Sequence, residues 1–83
     1  MQVFDIETDG FNPTKIHVVS WMDDDGYLHS THNYELMREF FLNADTLIGH
    51  NIVRYDVPVV EKILDIKIKA RIIDTLPIAW YIN

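Results

Sequence analysis

Two acidic segments hold the side chains of this sequence that are best suited to chemistry. Asp5 and Glu7 flank Ile6 near the start, and Asp56 follows Tyr55 much later in the chain. Side chains of a strand alternate between its two faces, so Asp5 and Glu7 project from one face and Ile6 from the other. Neighbouring carboxylates repel each other, and a divalent cation that takes oxygen ligands from both relieves the repulsion. The pattern predicts a metal site of Asp5, Glu7 and Asp56.

Carboxylate ligands of this kind suit the hydrolysis of phosphodiester bonds. Two divalent ions about 3.5–4 Å apart can hold the attacking hydroxide and the leaving oxygen on opposite sides of phosphorus. The chain has no cysteine to act as a nucleophile or as a zinc-binding thiolate. An Asp-x-Glu pair alone is a weak signal, because many such pairs only flank a turn. Asp56 has its own alternative role as the N-cap of the helix that follows it.

The strands expected to position these acids are short and rich in apolar, β-branched and aromatic residues. They are predicted at residues 2–6, 16–22, 27–31, 46–49 and 72–73. Breakers between the second and third of them predict a hairpin. The order of elements predicts a single α/β domain over residues 1–83, with a mixed sheet, a leading antiparallel hairpin and flanking helices.

Apolar residues at helical spacing predict helices between the later strands. The first covers residues 34–42, with Asn33 as its N-cap, and the second covers residues 57–64. Residues 50–56 are expected to form a loop that enters the second helix. Asp74 is expected to cap a last, very apolar helix from Leu76 onwards, and such a helix needs a covering surface.

The acidic turn of the hairpin and the histidines have less specific interpretations. Residues 23–26 (Asp-Asp-Asp-Gly) superficially resemble a calcium loop, but the later bidentate glutamate is missing, so they are predicted to form only a hairpin turn. His17, His29 and His32 lack the spacing of a zinc site. His50 is expected to be a hydrogen-bonded structural histidine.

Composition and charge exclude several classes of protein. The 83 residues are 48% hydrophobic and 24% charged, which predicts one small folded domain. No apolar stretch approaches the roughly 20 residues that span a bilayer, and the start has no signal-peptide pattern, so we expect a cytoplasmic protein without membrane contact. A net charge of −6 argues against a protein that coats nucleic acid by charge alone. An acidic site becomes locally positive once metal is bound.

Three segments together resemble the motifs of the DEDD superfamily of 3'-5' exonucleases, which have an RNase H-like fold. Residues 3–10 (Val-Phe-Asp-Ile-Glu-Thr-Asp-Gly) resemble the first motif, and residues 49–56 (Gly-His-Asn-x-x-x-Tyr-Asp) resemble the second. Residues 73–76 (Ile-Asp-Thr-Leu) resemble the segment that follows. The spacing is most similar to the proofreading domain at the start of phage replicative DNA polymerases of the polymerase I family.

The resemblance implies a function and a role for each matching residue. It implies removal of 3'-terminal nucleotides from single-stranded DNA, with two magnesium (Mg²⁺) or manganese (Mn²⁺) ions as cofactors and a phage-infected bacterial cell as the setting. The implied roles are metal ligation by Asp5, Glu7 and Asp56, contact with the terminal nucleotide by Thr8 and Phe11, and orientation of the substrate backbone by Asn51 and Tyr55. Phe11 would wedge against the frayed base, since bases stack well on aromatic faces. Phe11 and Tyr55 have core packing as their alternative role.

The third motif of the superfamily has no counterpart in these 83 residues. That motif supplies a fourth carboxylate and a Tyr or His, whereas Asp74 matches the earlier Asp-Thr-Leu position. We therefore expect a domain that is incomplete at its C-terminus, is inactive or nearly so alone, and meets the rest of a polymerase chain or a self-associating partner through its last helix. The alternatives are a small binding or assembly module that keeps the fold without catalysis, and an RNA exonuclease.

Overall fold

A five-stranded mixed sheet organises the part of the chain that the structure, a computed structural model, describes: residues 1–10 and 12–75. Its strands are β1 (Gln2–Thr8), β2 (Ile16–Met22), β3 (Leu28–Thr31), β4 (Thr46–Gly49) and β5 (Arg71–Asp74). The order is β3-β2-β1-β4-β5, antiparallel from β3 to β1 and parallel from β1 to β5. The predicted α/β class, mixed sheet and leading hairpin are confirmed, and the architecture is compatible with an RNase H-like fold.

Helices α1 (Tyr34–Asn43) and α2 (Val57–Leu64) follow the predicted positions. The Asn33 side chain accepts a hydrogen bond from the Leu36 N–H at 3.1 Å, which confirms the predicted N-cap. Pro58 occupies the first turn of α2, as predicted. None of the helices in the described residues is both long and apolar enough to cross a membrane. The helix predicted from Leu76 onwards lies outside the described residues.

The predicted loop over residues 50–56 is wrong for most of its length, because Ile52–Asp56 forms a π-helical turn that continues into α2. Asn51 starts this turn in the left-handed region, with φ 60°. The Val57 N–H closes the turn by donating to the Ile52 carbonyl. Residues 51–56 contain neither glycine nor proline, so nothing in them prevents helical hydrogen bonding.

The hydrophobic core lies between one face of the sheet and the helices. Phe4 and Ile6 of β1 are buried on this face, and the Phe4 ring meets the Phe41 ring of α1 edge-on at 5.3 Å. The other large, fully buried side chains are Val19, Met37, Leu47, Ile52, Val60 and Leu64. Asp5 and Glu7 alternate with Phe4 and Ile6 along β1 and are therefore exposed on the opposite face.

Candidate functional site

The acidic end of β1 extends past the end of its parallel neighbour. β4 pairs with β1 only at Gln2 and Val3, and β4 then ends at Gly49. β1 continues to Thr8, two residues further than predicted, because its pairing with β2 continues to that residue. β4 therefore does not pair with β1 at Asp5 or Glu7. The segment that follows β4 in the chain is the π-helical turn.

Gly49 permits this close packing of β4, β1 and the π-helical turn. A Cβ atom at this position would lie 2.4 Å from the Ile52 Cγ2 atom and 3.2 Å from the Phe4 carbonyl oxygen. Ile52 is fully buried, so its side chain has little space to move away. Glycine is required here for close approach, and its absence of a side chain brings the π-helical turn next to β1.

Thr8 and Tyr55, both predicted to contact the substrate, contact each other. Their hydroxyl oxygens lie 2.6 Å apart, and the Tyr55 hydroxyl also donates to the Gly10 carbonyl oxygen at 3.1 Å. The pairing of β1 with β2 shifts between Glu7 and Thr8, where His17 is an extra residue in β2, and such bulges re-aim side chains at sheet edges and functional sites. The Tyr55 hydroxyl therefore joins the end of β1 to the π-helical turn. Phe11, the other predicted contact with the terminal nucleotide, lies outside the described residues.

Asp56 is a buried acidic residue among the apolar side chains of the described core, and 6% of its surface is exposed. Burial first, and then the charges of Asp5 and Asp74, together raise the pKa of its carboxyl group from 3.8 to about 7. The side chain makes no capping hydrogen bond to α2, although Asp56 precedes that helix. The structure thus places Asp56 within electrostatic reach of Asp5.

Asp74 holds the start of the π-helical turn. Its two carboxylate oxygens accept hydrogen bonds from the N–H groups of Asn51 and Val53, at 2.9 and 2.8 Å. These hydrogen bonds cap a segment earlier than the helix from Leu76, and the predicted cap of that helix lies outside the described residues. The Asn51 side-chain oxygen is buried without a hydrogen-bond partner in the described residues. The His50 Nδ1 atom lies 3.2 Å from the Thr75 hydroxyl, as expected of a hydrogen-bonded histidine.

A second group of candidate ligands lies at the hairpin. Asp23, Asp25 and His29, hereafter the hairpin group, have ligand atoms within 4.8 Å of one another and are close enough to bind a metal ion. The Nε2 atom of His29 lies 2.9 Å from an Asp23 carboxylate oxygen, and its ring stacks on Trp21. Within residues 1–10 and 12–75, Asp5, Glu7 and Asp56 do not form a group this tight.

Sequence reasoning missed the hairpin group because it treated residues 23–26 only as a turn and tested the histidines only for zinc spacing. The turn itself is confirmed: the Gly26 N–H donates to the Asp23 carbonyl oxygen at 2.9 Å, and Gly26 has φ 82°. The useful signal was the strand register. Met22 pairs with Leu28, which brings His29 back beside the acids of the turn.

No protein-family model matches the sequence, and no curated protein matches it either. The function must therefore be argued from the residues and their arrangement.

Proposed function

We propose that this chain is a 3'-5' exonuclease domain of the DEDD, RNase H-like type, in which Asp5, Glu7 and Asp56 bind two Mg²⁺ or Mn²⁺ ions. The observation that supports it best is the buried carboxyl group of Asp56, with a pKa near 7, beside Asp5. An ionised carboxylate away from water and close to a second one is unfavourable unless a cation compensates it. Magnesium and manganese prefer oxygen ligands and supply that compensation.

We propose two ions instead of one for the three acids. A single ion would require all three carboxylates within a few ångströms, whereas the hairpin group alone is that compact in the described residues. Two ions about 3.5–4 Å apart spread their ligands over a wider site. When bound, such ions lower the pKa of a water molecule and neutralise charge on the reacting phosphate. Asp5, Glu7 and Asp56 would hold these ions.

The proposed substrate is the 3' end of single-stranded DNA, and the proposed product is a nucleoside monophosphate. Thr8, Phe11, Asn51 and Tyr55 match the substrate-binding positions of the superfamily. The contact between Thr8 and Tyr55 supports a shared surface, because it brings the two motifs together at the exposed end of β1. The role that fits this site is the proofreading of a DNA polymerase.

Catalysis by this chain alone should be weak or absent. Phosphoryl transfer depends almost entirely on positioning and on charge stabilisation, and the 83 residues provide no fourth acid at the place of the third motif. Metal and nucleotide binding need fewer groups and should be retained. Binding is therefore the sharper test of the proposal, and digestion of DNA is the secondary one.

Titration with Mn²⁺ followed by ¹⁵N NMR tests the proposal, because bound Mn²⁺ broadens the signals of nearby amides. We expect broadening around residues 5–8 and 55–57, enhanced by thymidine monophosphate. Asp56→Asn should weaken binding at this site about tenfold or more, since it removes one charged ligand from a shared ion. Asp25→Asn is the matched control and should leave binding at this site unchanged.

Broadening confined to residues 23–29 would contradict the proposal. Failure of thymidine monophosphate to bind in the presence of metal would instead favour a binding or assembly module that keeps the fold. Digestion of single-stranded DNA with Mg²⁺, abolished by Asp5→Ala, would support the proposed reaction and show that the expected inactivity is wrong.

A further inference from the structure

An open groove lies between the edge strand β3 and helix α1. It has a volume of about 480 Å³, within the range of binding sites for small molecules and peptide side chains. The rings of Trp21 and Phe40 line it and stack on each other, with centroids 4.4 Å apart. Leu36 of α1 also lines the groove and leaves 51% of its surface exposed. The groove thus offers an apolar wall to an incoming side chain.

The opposite wall of the groove is a strand with a free edge. Among the described strands β3 is at the end of the sheet and pairs only with β2. His29, Ser30 and Thr31 of β3 line the groove. The outer N–H and C=O groups of an edge strand are a template for another strand, and an extended peptide uses them in β-augmentation.

Two of the polar residues of the groove, Gln2 and Glu39, suit a hydrogen-bond donor with positive charge. Gln2 lines the groove, and its Oε1 atom is buried without a hydrogen-bond partner in the described residues. Glu39 contributes a carboxylate to the lining, and the lining residues include neither lysine nor arginine. Rotation of the terminal amide of Gln2 would let an incoming donor reach its Oε1 atom. The new hydrogen bond would satisfy an acceptor that is otherwise unfavourable to bury.

We propose that this groove binds an extended segment of a partner protein that pairs with β3 and inserts one arginine or lysine side chain toward α1. The aliphatic part of that side chain would pack on Trp21, Phe40 and Leu36, as long basic side chains do on apolar surfaces. Its charged end would meet Gln2 and Glu39. This function is independent of the proposed exonuclease site, because none of the groove residues belongs to that site.

The test uses the whole chain, ¹⁵N NMR and two blocked peptides of alternating valine and threonine that carry a central arginine or a central glutamate. The arginine peptide should shift the signals of residues 28–31 and 36–40 and bind about tenfold more tightly than the glutamate peptide, which corresponds to about 1.4 kcal/mol. Leu36→Asn should weaken its binding by a similar factor, because it removes apolar contact without changing the charge of the groove.

Leu42→Asn is the matched control, since Leu42 lies on the same helix with 52% exposure but does not line the groove. Glu39→Gln is a second variant on an exposed position and should reduce the preference for arginine about threefold without affecting the fold. Equal effects of Leu36→Asn and Leu42→Asn, or no shifts at millimolar peptide, would overturn the proposal. Concentration-dependent shifts of residues 28–31 without peptide would assign the edge to a second copy, and shifts caused by an oligonucleotide would assign it to nucleic acid; either result would overturn it too.

Discussion

Asp56 and the hairpin group show two different ways of bringing acidic side chains together. Asp56 lies within electrostatic reach of Asp5, from a distant part of the chain, is buried, and has a pKa raised to about 7. Asp23, Asp25 and His29 are close in sequence and lie at an exposed or half-exposed turn. Water can solvate the second set without help, whereas the first has lost part of its solvation. Short distances therefore indicate where a cation fits, and burial indicates where one is needed.

The largest expected effect is on the pH dependence of stability. The pKa of Asp56 is higher in the folded protein than its ordinary value of 3.8, so the folded state binds this proton more tightly than the unfolded chain does. The contribution is complete below about pH 4 and is lost as the pH rises through about 7, which lowers the free energy of unfolding by on the order of 2–4 kcal/mol. Asp56→Asn should remove most of this fall.

Urea denaturation followed by circular dichroism at about pH 4.5 and pH 8 measures the effect. Asp25→Asn, which changes an exposed acid of the hairpin group, should keep the wild-type fall between the two pH values. If Asp56→Asn and the wild type lose the same stability over this range, burial of Asp56 does not distinguish the two acidic regions.

Two glycine substitutions compare the packing of the same two regions. Gly49→Ala should lower the free energy of unfolding by about 3 kcal/mol, because the new methyl group overlaps the buried Ile52 side chain. Gly26→Ala meets no atom within 4 Å but must adopt φ 82°, which costs about 1 kcal/mol. Thermal denaturation of both variants checks the order, and a larger loss from Gly26→Ala would contradict it.

Two polar contacts should differ by a smaller amount. Tyr55→Phe removes the hydroxyl that joins Thr8 and Gly10 and should cost about 1 kcal/mol. Asp23→Asn weakens the exposed pair with His29 and should cost less than about 0.5 kcal/mol. A double-mutant cycle with Thr8→Val gives the coupling of Tyr55 to Thr8, and no coupling would mean that the 2.6 Å contact does not join the two motifs.

The smallest effect concerns an exposed acid that is not part of either region. Asp9 has a pKa lowered from 3.8 to about 2, first by the Thr14 hydroxyl and then by the N–H groups of Lys15 and Thr14. Thr14→Val should raise this pKa toward its ordinary value because the strongest donor is lost. An NMR titration of the Asp9 carboxyl carbon measures it, and an unchanged midpoint would show that the loop after β1 is not held by these bonds.

Local signals made much of the fold predictable. Some signals act between near neighbours in the chain: the Asn33 cap, Pro58 in the first turn of α2 and the turn at residues 23–26. The bounds of β2, β4 and α2 also match the predictions. The π-helical turn was not predictable because its start depends on Asp74, which is 23 residues after Asn51 and 21 after Val53. Sheet pairing explains why Asp56 lies within electrostatic reach of Asp5. The contact of Tyr55 with Thr8 instead depends on side-chain geometry, which residue spacing does not reveal.

The two hydrogen bonds of Asp74 have a consequence for the order of folding. They join the last described strand to backbone amides at the start of the π-helical turn, so that turn is not complete until β5 has docked beside β4. Long-range contacts form late because a loop must close first. Asp74→Asn should therefore speed unfolding more than it slows folding, and the surroundings of Asp56 should be among the last parts of the molecule to assemble.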